Sequence, residues 1–306
     1  MSFTAEVKDE LARVGGSCPE CDVAELAALV RVCGALSFHG SGAYSIRVST
    51  ETGAVARTVI RLAHEVFDLD TSLTVRRSNL HRSRNYLIEI PEQKGLEQAL
   101  IRMGVLVLGR GLSSGIAARV VARSCCRAAY LRGAFMAGGF IADPRGDFHL
   151  EIAVTGDEFA DDLLELLDDE GITARVNRRR GSYAIYLKSF DDIAALLGVV
   201  GAERTARAVK NIRVMKSVKN DVNRRVNAEL ANQARSTGAS ADQLALIDRV
   251  EREIGFDVLP PALMQFCVAR REHPELSLRD LGAQMRPPLS KSALYHRVLR
   301  LEKLLE

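Results

Sequence analysis

Residues 29–38 read LVRVCGALSF and residues 131–140 read LRGAFMAGGF, two versions of one helix-like, small-residue pattern that ends in Ser or Gly before Phe. A long-period repeat limits the folds open to a chain, because each unit must be a supersecondary motif that packs on its copy. The order of elements downstream of each stretch repeats as well. An alternating strand comes next, YSIRVS from Tyr44 and FHLEIA from Phe148, and then a helical stretch at 55–67 and 159–170. A strand pair succeeds it, 72–77 with 85–90 in one half and 172–178 with 182–188 in the other. Each half closes on a helix, at 96–106 and 191–200. The pattern predicts two αββαββα halves, with one weak strand in each that it does not place. Gly34, Ala35, Gly133, Ala137, Gly138 and Gly139 would let the two leading helices approach closely along a pseudo-two-fold axis, with the sheets flanking them as a saddle. The same residues also suit ordinary, tightly packed core helices.

The 306 residues carry a net charge of only +3, so the distribution of charge, not its sum, has to reveal a surface for a polyanion. Two basic tracts fall at the equivalent strand pair of each half. Between Thr74 and Tyr86 stand Arg76, Arg77, Arg82 and Arg84 with His81 and no acid, and between Ile172 and Phe190 stand Arg175, Arg178, Arg179, Arg180 and Lys188, again with no acid. The helix before the second tract, 157–170, has eight acids and no base. A basic sheet face with acidic helices behind it is polarised for phosphate, although solvated hairpin tips would show the same runs. The stretch 203–235 holds nine Lys or Arg against three acids, among them Lys216, Lys219, Arg224 and Arg225, interleaved with Asn220, Asn223, Asn227 and Asn232. It reads as a basic helix, either a solvated linker or a contact to phosphates and bases. Ser236-Thr-Gly-Ala-Ser then predicts a break and a hinge.

From Ala241 the chain reads as a compact helical unit. Leu259-Pro-Pro opens a helix at 261–271, Ser277 caps a second with Leu278, Leu281 and Met285 inward, and Gly282 is the small residue where two helices would cross. After the turn Arg286-Pro-Pro-Leu289, Ser290 caps a last helix with Leu294, Val298 and Leu301 as its buried stripe. That spacing leaves Lys291, Ser292, Tyr295, His296 and Arg300 outward. This is a helix-turn-helix whose N-terminal residues would reach base edges, with Arg297 or Arg300 on the backbone. A three-helix protein-binding module is the alternative. The units are therefore 1–116, 117–202, a basic helix and linker at 203–240, and 241–306.

No run approaches the roughly 18 apolar residues of a membrane span, and the first 14 residues lack the apolar core of a secretory signal. The six Cys include one C-x-x-C, Cys18 and Cys21, and an adjacent pair, Cys125 and Cys126, whose spacing does not suit a second zinc knuckle. Plain thiols are the expectation, with a metal or redox site as the rival.

The leading helices resemble the LAGLIDADG helices of homing endonucleases. The chain as a whole is identified as a member of the WhiA family of bacterial regulators. The motifs run nearly its full length: MSFTAEVKDEL from Met1, AVAR from Ala54, CCRAAYLRGAFMAGGF from Cys125, VNRRVNAELAN from Val222 and PPLSKS from Pro287. The resemblance implies an α+β fold, a duplicated LAGLIDADG-like αββαββα saddle, joined to an all-α helix-turn-helix domain resembling sigma factor region 4. It also implies a sequence-specific, non-cleaving transcription regulator of sporulation septation, cell division and chromosome segregation. Such a protein would be cytoplasmic and nucleoid-associated, bind double-stranded DNA without a cofactor, and associate with a sigma factor or an iron–sulfur regulator. A LAGLIDADG nuclease needs a carboxylate near the end of each leading helix to hold divalent metal ions. The alignment puts Leu36 and Gly138 there, with Asp143 the nearest acid, so neither a metal site nor an enzyme is expected. An active endonuclease and a division scaffold with incidental DNA binding are the rival readings. The family commonly has Gly after SKS and often Asn two residues later, where this chain has Ala293 and Tyr295, so base preference would differ.

Overall fold

The computed structural model describes residues 2–40, 43–77, 84–179 and 181–306. His81, Arg82 and Arg180 of the basic tracts, and the side chains of Arg179 and Ser236, lie outside the described set. The first half runs α1 (Phe3–Leu11), α2 (Pro19–Cys33), β1 (Gly34–Phe38), β2 (Tyr44–Thr50), α3 (Gly53–Phe67), β3 (Ser72–Arg77), β4 (Arg84–Ile90) and α4 (Leu96–Arg102), followed by a short ladder of β5 (Leu106–Val107) and β6 (Gly111–Leu112). The second half runs α5 (Ser124–Gly138), β7 (Gly139–Ile141), β8 (Leu150–Thr155), α6 (Asp157–Asp169), β9 (Arg175–Arg179), β10 (Ser182–Leu187) and α7 (Phe190–Val199). The two antiparallel sheets have matching orders, β1-β2-β4-β3 and β7-β8-β10-β9.

The strand that the sequence pattern could not place is β1 in one half and β7 in the other. It is concealed in what reads as the end of the leading helix. Helix α2 stops at Cys33 because Gly34 turns extended, with φ −95° and ψ 147°, and pairs with Val48. Gly139 does the same after α5, with φ −80° and ψ 143°, and pairs with Ile152. A Cβ at Gly34 would lie 2.3 Å from the Val30 carbonyl oxygen, and one at Gly139 would lie 2.3 Å from that of Phe135, so the step from helix to strand needs glycine. Equivalence therefore runs Gly34 with Gly139 and Cys33 with Gly138, which corrects the alignment of Leu36 with Gly138.

Close approach of α2 and α5 is centred on Gly133. A Cβ there would sit 2.4 Å from the Glu25 carbonyl oxygen and 2.9 Å from the Ala28 Cβ. Around it Leu26, Ala27, Leu29, Leu131, Ala134 and Phe135 are buried, each larger side chain contributing about 1.5–3 kcal/mol. Across the same interface Arg132 donates to Glu25 Oε2 from Nε (3.0 Å) and Nη2 (2.6 Å), with both side chains nearly sealed from solvent. Strand alternation turns Ile46, Val48, Ile88 and Ile90 inward in the first sheet, and Ile152, Val154, Ile185 and Leu187 inward in the second. The opposite faces carry the polar residues.

Helix α8 spans Glu203–Glu253, so the break expected at 236–240 does not occur. The Glu10 carboxylate accepts from the first-turn backbone of α8, Arg204 N–H (2.7 Å) and Thr205 N–H (3.1 Å), where the helix dipole favours an anion. Further along, Thr237 donates its hydroxyl to the Gln233 carbonyl one turn back (3.0 Å), which satisfies the hydroxyl within the helix. Ser240 and Gln243 are buried, so packing overrides a weak local propensity. The chain forms two compact units, Met1–Met215 and Lys216–Glu306. The second contains the end of α8 with α9 (Pro261–Glu272), α10 (Leu278–Gln284) and α11 (Lys291–Lys303), closed around Ile247, Phe266, Leu281, Leu294 and Leu301. Buried Arg270 ties it together, donating to Gln243 Oε1 (3.0 Å) and to the carbonyls of His273 (3.1 Å) and Leu276 (2.6 Å).

Candidate nucleic-acid interface

Helix α11 begins where Ser290 accepts a hydrogen bond from the Ala293 N–H at 3.2 Å, and α10 where Ser277 accepts from Asp280. Leu294, Val298 and Leu301 are buried, so the helix can face in only one way. Lys291, Ser292, Tyr295, His296 and Arg300 are then exposed, as the spacing predicts. Arg297 differs: it is half-buried and its Nη1 donates to Gln265 of α9 at 3.3 Å, so it braces the helix pair instead of standing free. Gly282 is needed for the turn. A Cβ on it would lie 2.3 Å from the Leu289 carbonyl oxygen, while the nearest α11 atom, Leu294 Cδ1, is at 3.5 Å.

In the sheets, alternation divides each basic tract between two faces. Arg76 pairs with Asn85 on the open face of the first sheet, whereas Arg77 pairs with Arg84 on the helix-facing side at the strand ends. Arg175 pairs with Tyr186 on the open face of the second sheet, and Lys188 lies over the Tyr186 ring at 5.4 Å. Arg178 pairs with Tyr183 on the other side, where it donates to Asp161 of α6 at 2.9 Å. Only alternate residues of each tract therefore reach the open face, and an acid of the helix behind the second sheet takes Arg178. Arg179 holds the register position opposite Ser182. The sequence reading missed Arg47, which stands on the open face of the first sheet and ion-pairs with Glu89 at 3.0 Å. It is the lone base of a polar alternate row, a weak signal. Along α8, Lys219 and Arg225 are exposed, Arg224 pairs with Asp221, and Lys216 is half-buried.

The leading helices end in Cys33 and Gly138, and neither is a carboxylate. Lys8 sits beside Cys33 and Glu51; burial lowers it to about 8 against the raising effect of both neighbours, and burial pushes Cys33 up to about 11. A buried lysine at the helix end repels the divalent ions that a nuclease would place there.

At the other ends of the same helices the structure overturns a spacing argument. Cys18 caps α2 and Cys21 is in its first turn, while Cys125 and Cys126 are in the first turn of α5. Their four Sγ atoms lie within 4.8 Å of one another, and among the described residues this is the metal-competent cluster. Spacing rules describe two ligand pairs on separate knuckles; here helix packing supplies the second pair. Hydrogen bonding from Cys21 draws Cys18 down to about 6, while burial pushes Cys21 and Cys126 up.

Two sheet-bearing halves led by a pair of closely packed helices, joined to a capped helix-turn-helix, define a duplicated LAGLIDADG-like protein with a terminal DNA-binding-type module. Family models agree along the chain: the WhiA N-terminal LAGLIDADG-like domain matches residues 19–106, the WhiA LAGLIDADG-like domain 127–219, and the WhiA C-terminal HTH domain 222–305. The "Probable cell division protein WhiA" of Heliobacterium modesticaldum is 40% identical over 307 residues, covering 100% of this chain and 96% of that protein. That of Thermoanaerobacter pseudethanolicus is 37% identical, covering 99% and 97%. The crystal structure of full-length DUF199/WhiA from Thermatoga maritima matches with a TM-score of 0.63 at 25% identity, over 99% of this chain and 98% of that one. The chain belongs to the WhiA family. Among the described residues, no helix is long and apolar enough to cross a membrane.

Proposed function

We propose that this protein is a sequence-specific regulator of transcription that binds double-stranded DNA. It acts in cell division, sporulation septation and chromosome segregation at the nucleoid, and its duplicated LAGLIDADG-like unit contributes contacts without cleavage. The observation that carries the reading is the exposed row Lys291, Ser292, Tyr295 and His296 on the N-terminal half of a capped α11 whose opposite face is locked in a core. Such a helix presents its first turns to the major groove. Arg76, Arg175 and Lys188 on the open sheet faces, with Lys219 and Arg225 on α8, favour phosphate contacts. Loss of cleavage is supported by Cys33 and Gly138 at the helix ends, where no carboxylate stands, and by buried Lys8 beside Cys33. Relatives that bear the name of a cell division protein support the process. A protein partner, which the family resemblance would make a sigma factor or an iron–sulfur regulator, is favoured by exposed Val218, Val222, Val226 and Leu230 at four-residue spacing along α8.

Gel shifts on genomic fragments, run beside plasmid incubation with Mg²⁺, test the reading. Lys291→Ala should weaken binding to the best fragment by roughly 5- to 150-fold, the equivalent of ~1–3 kcal/mol for a base contact, and the plasmid should stay supercoiled. Undiminished binding would remove α11 as the reading head. Site-specific nicking would restore the endonuclease.

A further inference from the structure

We propose that Cys18, Cys21, Cys125 and Cys126 bind one zinc ion as four thiolates, joining the N-terminal ends of the two central helices. Cys18 Sγ is 3.4 Å from Cys21 Sγ and 3.7 Å from both Cys125 Sγ and Cys126 Sγ. Zinc–thiolate bonds of ~2.3 Å in a tetrahedron put the sulfurs ~3.8 Å apart, so three edges already stand close to the required length. All four atoms fall within 4.8 Å of one another, leaving small adjustments for the remaining edges. A disulfide would need ~2.05 Å, and all six cysteines are free. An iron–sulfur cluster spreads its four cysteines over two or four irons, which sets at least some of their sulfurs farther apart than one tetrahedral ion does.

The surroundings suit a closed structural site. Cys21 and Cys126 are buried at 1% and 2% exposure, and Cys18 and Cys125 are half-buried, so no position stays open for a substrate. Gly16 brings the preceding loop onto the site, since a Cβ there would lie 2.9 Å from that of Cys21. Binding requires all four sulfurs as thiolates, any protons they still carry passing to solvent, and leaves a complex of charge −2. That charge is met by the positive ends of two helices and by Arg123, the residue before α5, whose guanidinium lies beside Cys18. Each half of the duplication donates one pair, so the ion would fasten the halves at the opposite end of the helices from Cys33 and Gly138.

The test uses the full chain, purified without chelator under reducing conditions. Elemental analysis should give about one zinc per chain, and reconstitution with Co²⁺ should give the charge-transfer and d–d bands of tetrahedral thiolate cobalt. Cys18→Ser and the double variant Cys125→Ser/Cys126→Ser should lose the metal, while Cys33→Ser and Cys267→Ser should keep it. The wild-type cobalt spectrum needs no variant to fold. Iron with cluster absorption, disulfides in place of thiols, or a reduced wild-type chain that takes up neither zinc nor cobalt would each overturn it.

Discussion

Replacing Arg132 by Ala should be among the most damaging single changes in the first unit, and its cost should depend on pH. Arg132 and Glu25 have side-chain exposures of 5% and 1%, and Glu25 Oε1 has no hydrogen-bond partner even with the arginine present. Burial raises the Glu25 carboxyl above its ordinary value, and the charge and hydrogen bonds of Arg132 oppose that rise. Removing one member of such a pair costs about 3–5 kcal/mol, because the remaining charge stays buried and uncompensated. For a unit of this size about 2–4 °C is lost per kcal/mol, so Tm should fall by roughly 6–20 °C near neutral pH. The sign comes from linkage. A carboxyl with a raised folded value favours the folded state below its ordinary value, and that advantage is lost as pH rises through the folded value. Without Arg132 the folded value climbs further, so the deficit against wild type should be larger at mildly alkaline than at mildly acidic pH, shrinking toward the packing loss alone as pH falls below the folded value. Calorimetry of the intact chain at both pH values reads this directly. The double variant Glu25→Leu/Arg132→Met should recover most of the loss. A deficit under about 1 kcal/mol, or one unchanged between the two pH values, would refute the reasoning.

Gly133→Ala should destabilise the first unit by about 1–3 kcal/mol in urea melts, since its methyl meets the backbone of α2 rather than a yielding side chain. Ser290→Ala should cost the second unit about 1 kcal/mol by removing the cap of α11, visible as a lower urea midpoint with an unchanged slope. Arg175→Ala/Lys188→Ala should weaken binding to all duplexes alike and flatten the salt dependence by up to about one unit of log–log slope per lost contact, read by anisotropy titrations.

Much of this architecture is legible in the sequence, for definite reasons. The helix-turn-helix is written in local signals: Ser277 and Ser290 cap their helices, and Leu294, Val298 and Leu301 recur at helical spacing and are buried. The duplication is legible because strand and helix periods recur in order. Four features are not. β1 and β7 are invisible because Gly34 and Gly139 pass from helix to strand with no intervening loop, so the apolar pattern runs on. The continuity of α8 through 236–240 is not legible because the stretch is a weak helix former on its own, and its packed anchors, Ser240 and Gln243, come only at and beyond its end. The two-sided fate of Arg76 and Arg77 depends on register, fixed by pairing with β4. The meeting of Cys18 and Cys21 with Cys125 and Cys126 depends on two helices starting side by side, which spacing along one chain cannot express.

Anisotropy titration of the intact chain against a genomically selected duplex and its scrambled counterpart, from about 50 to about 200 mM salt, bears most directly on the claim that capped α11 and the basic sheet faces read DNA. The account predicts that affinity for both duplexes falls steeply with salt and that the selected duplex is held at least ~10³-fold more tightly at every point. Equal, salt-insensitive affinity for the two, or no binding to either, would contradict it.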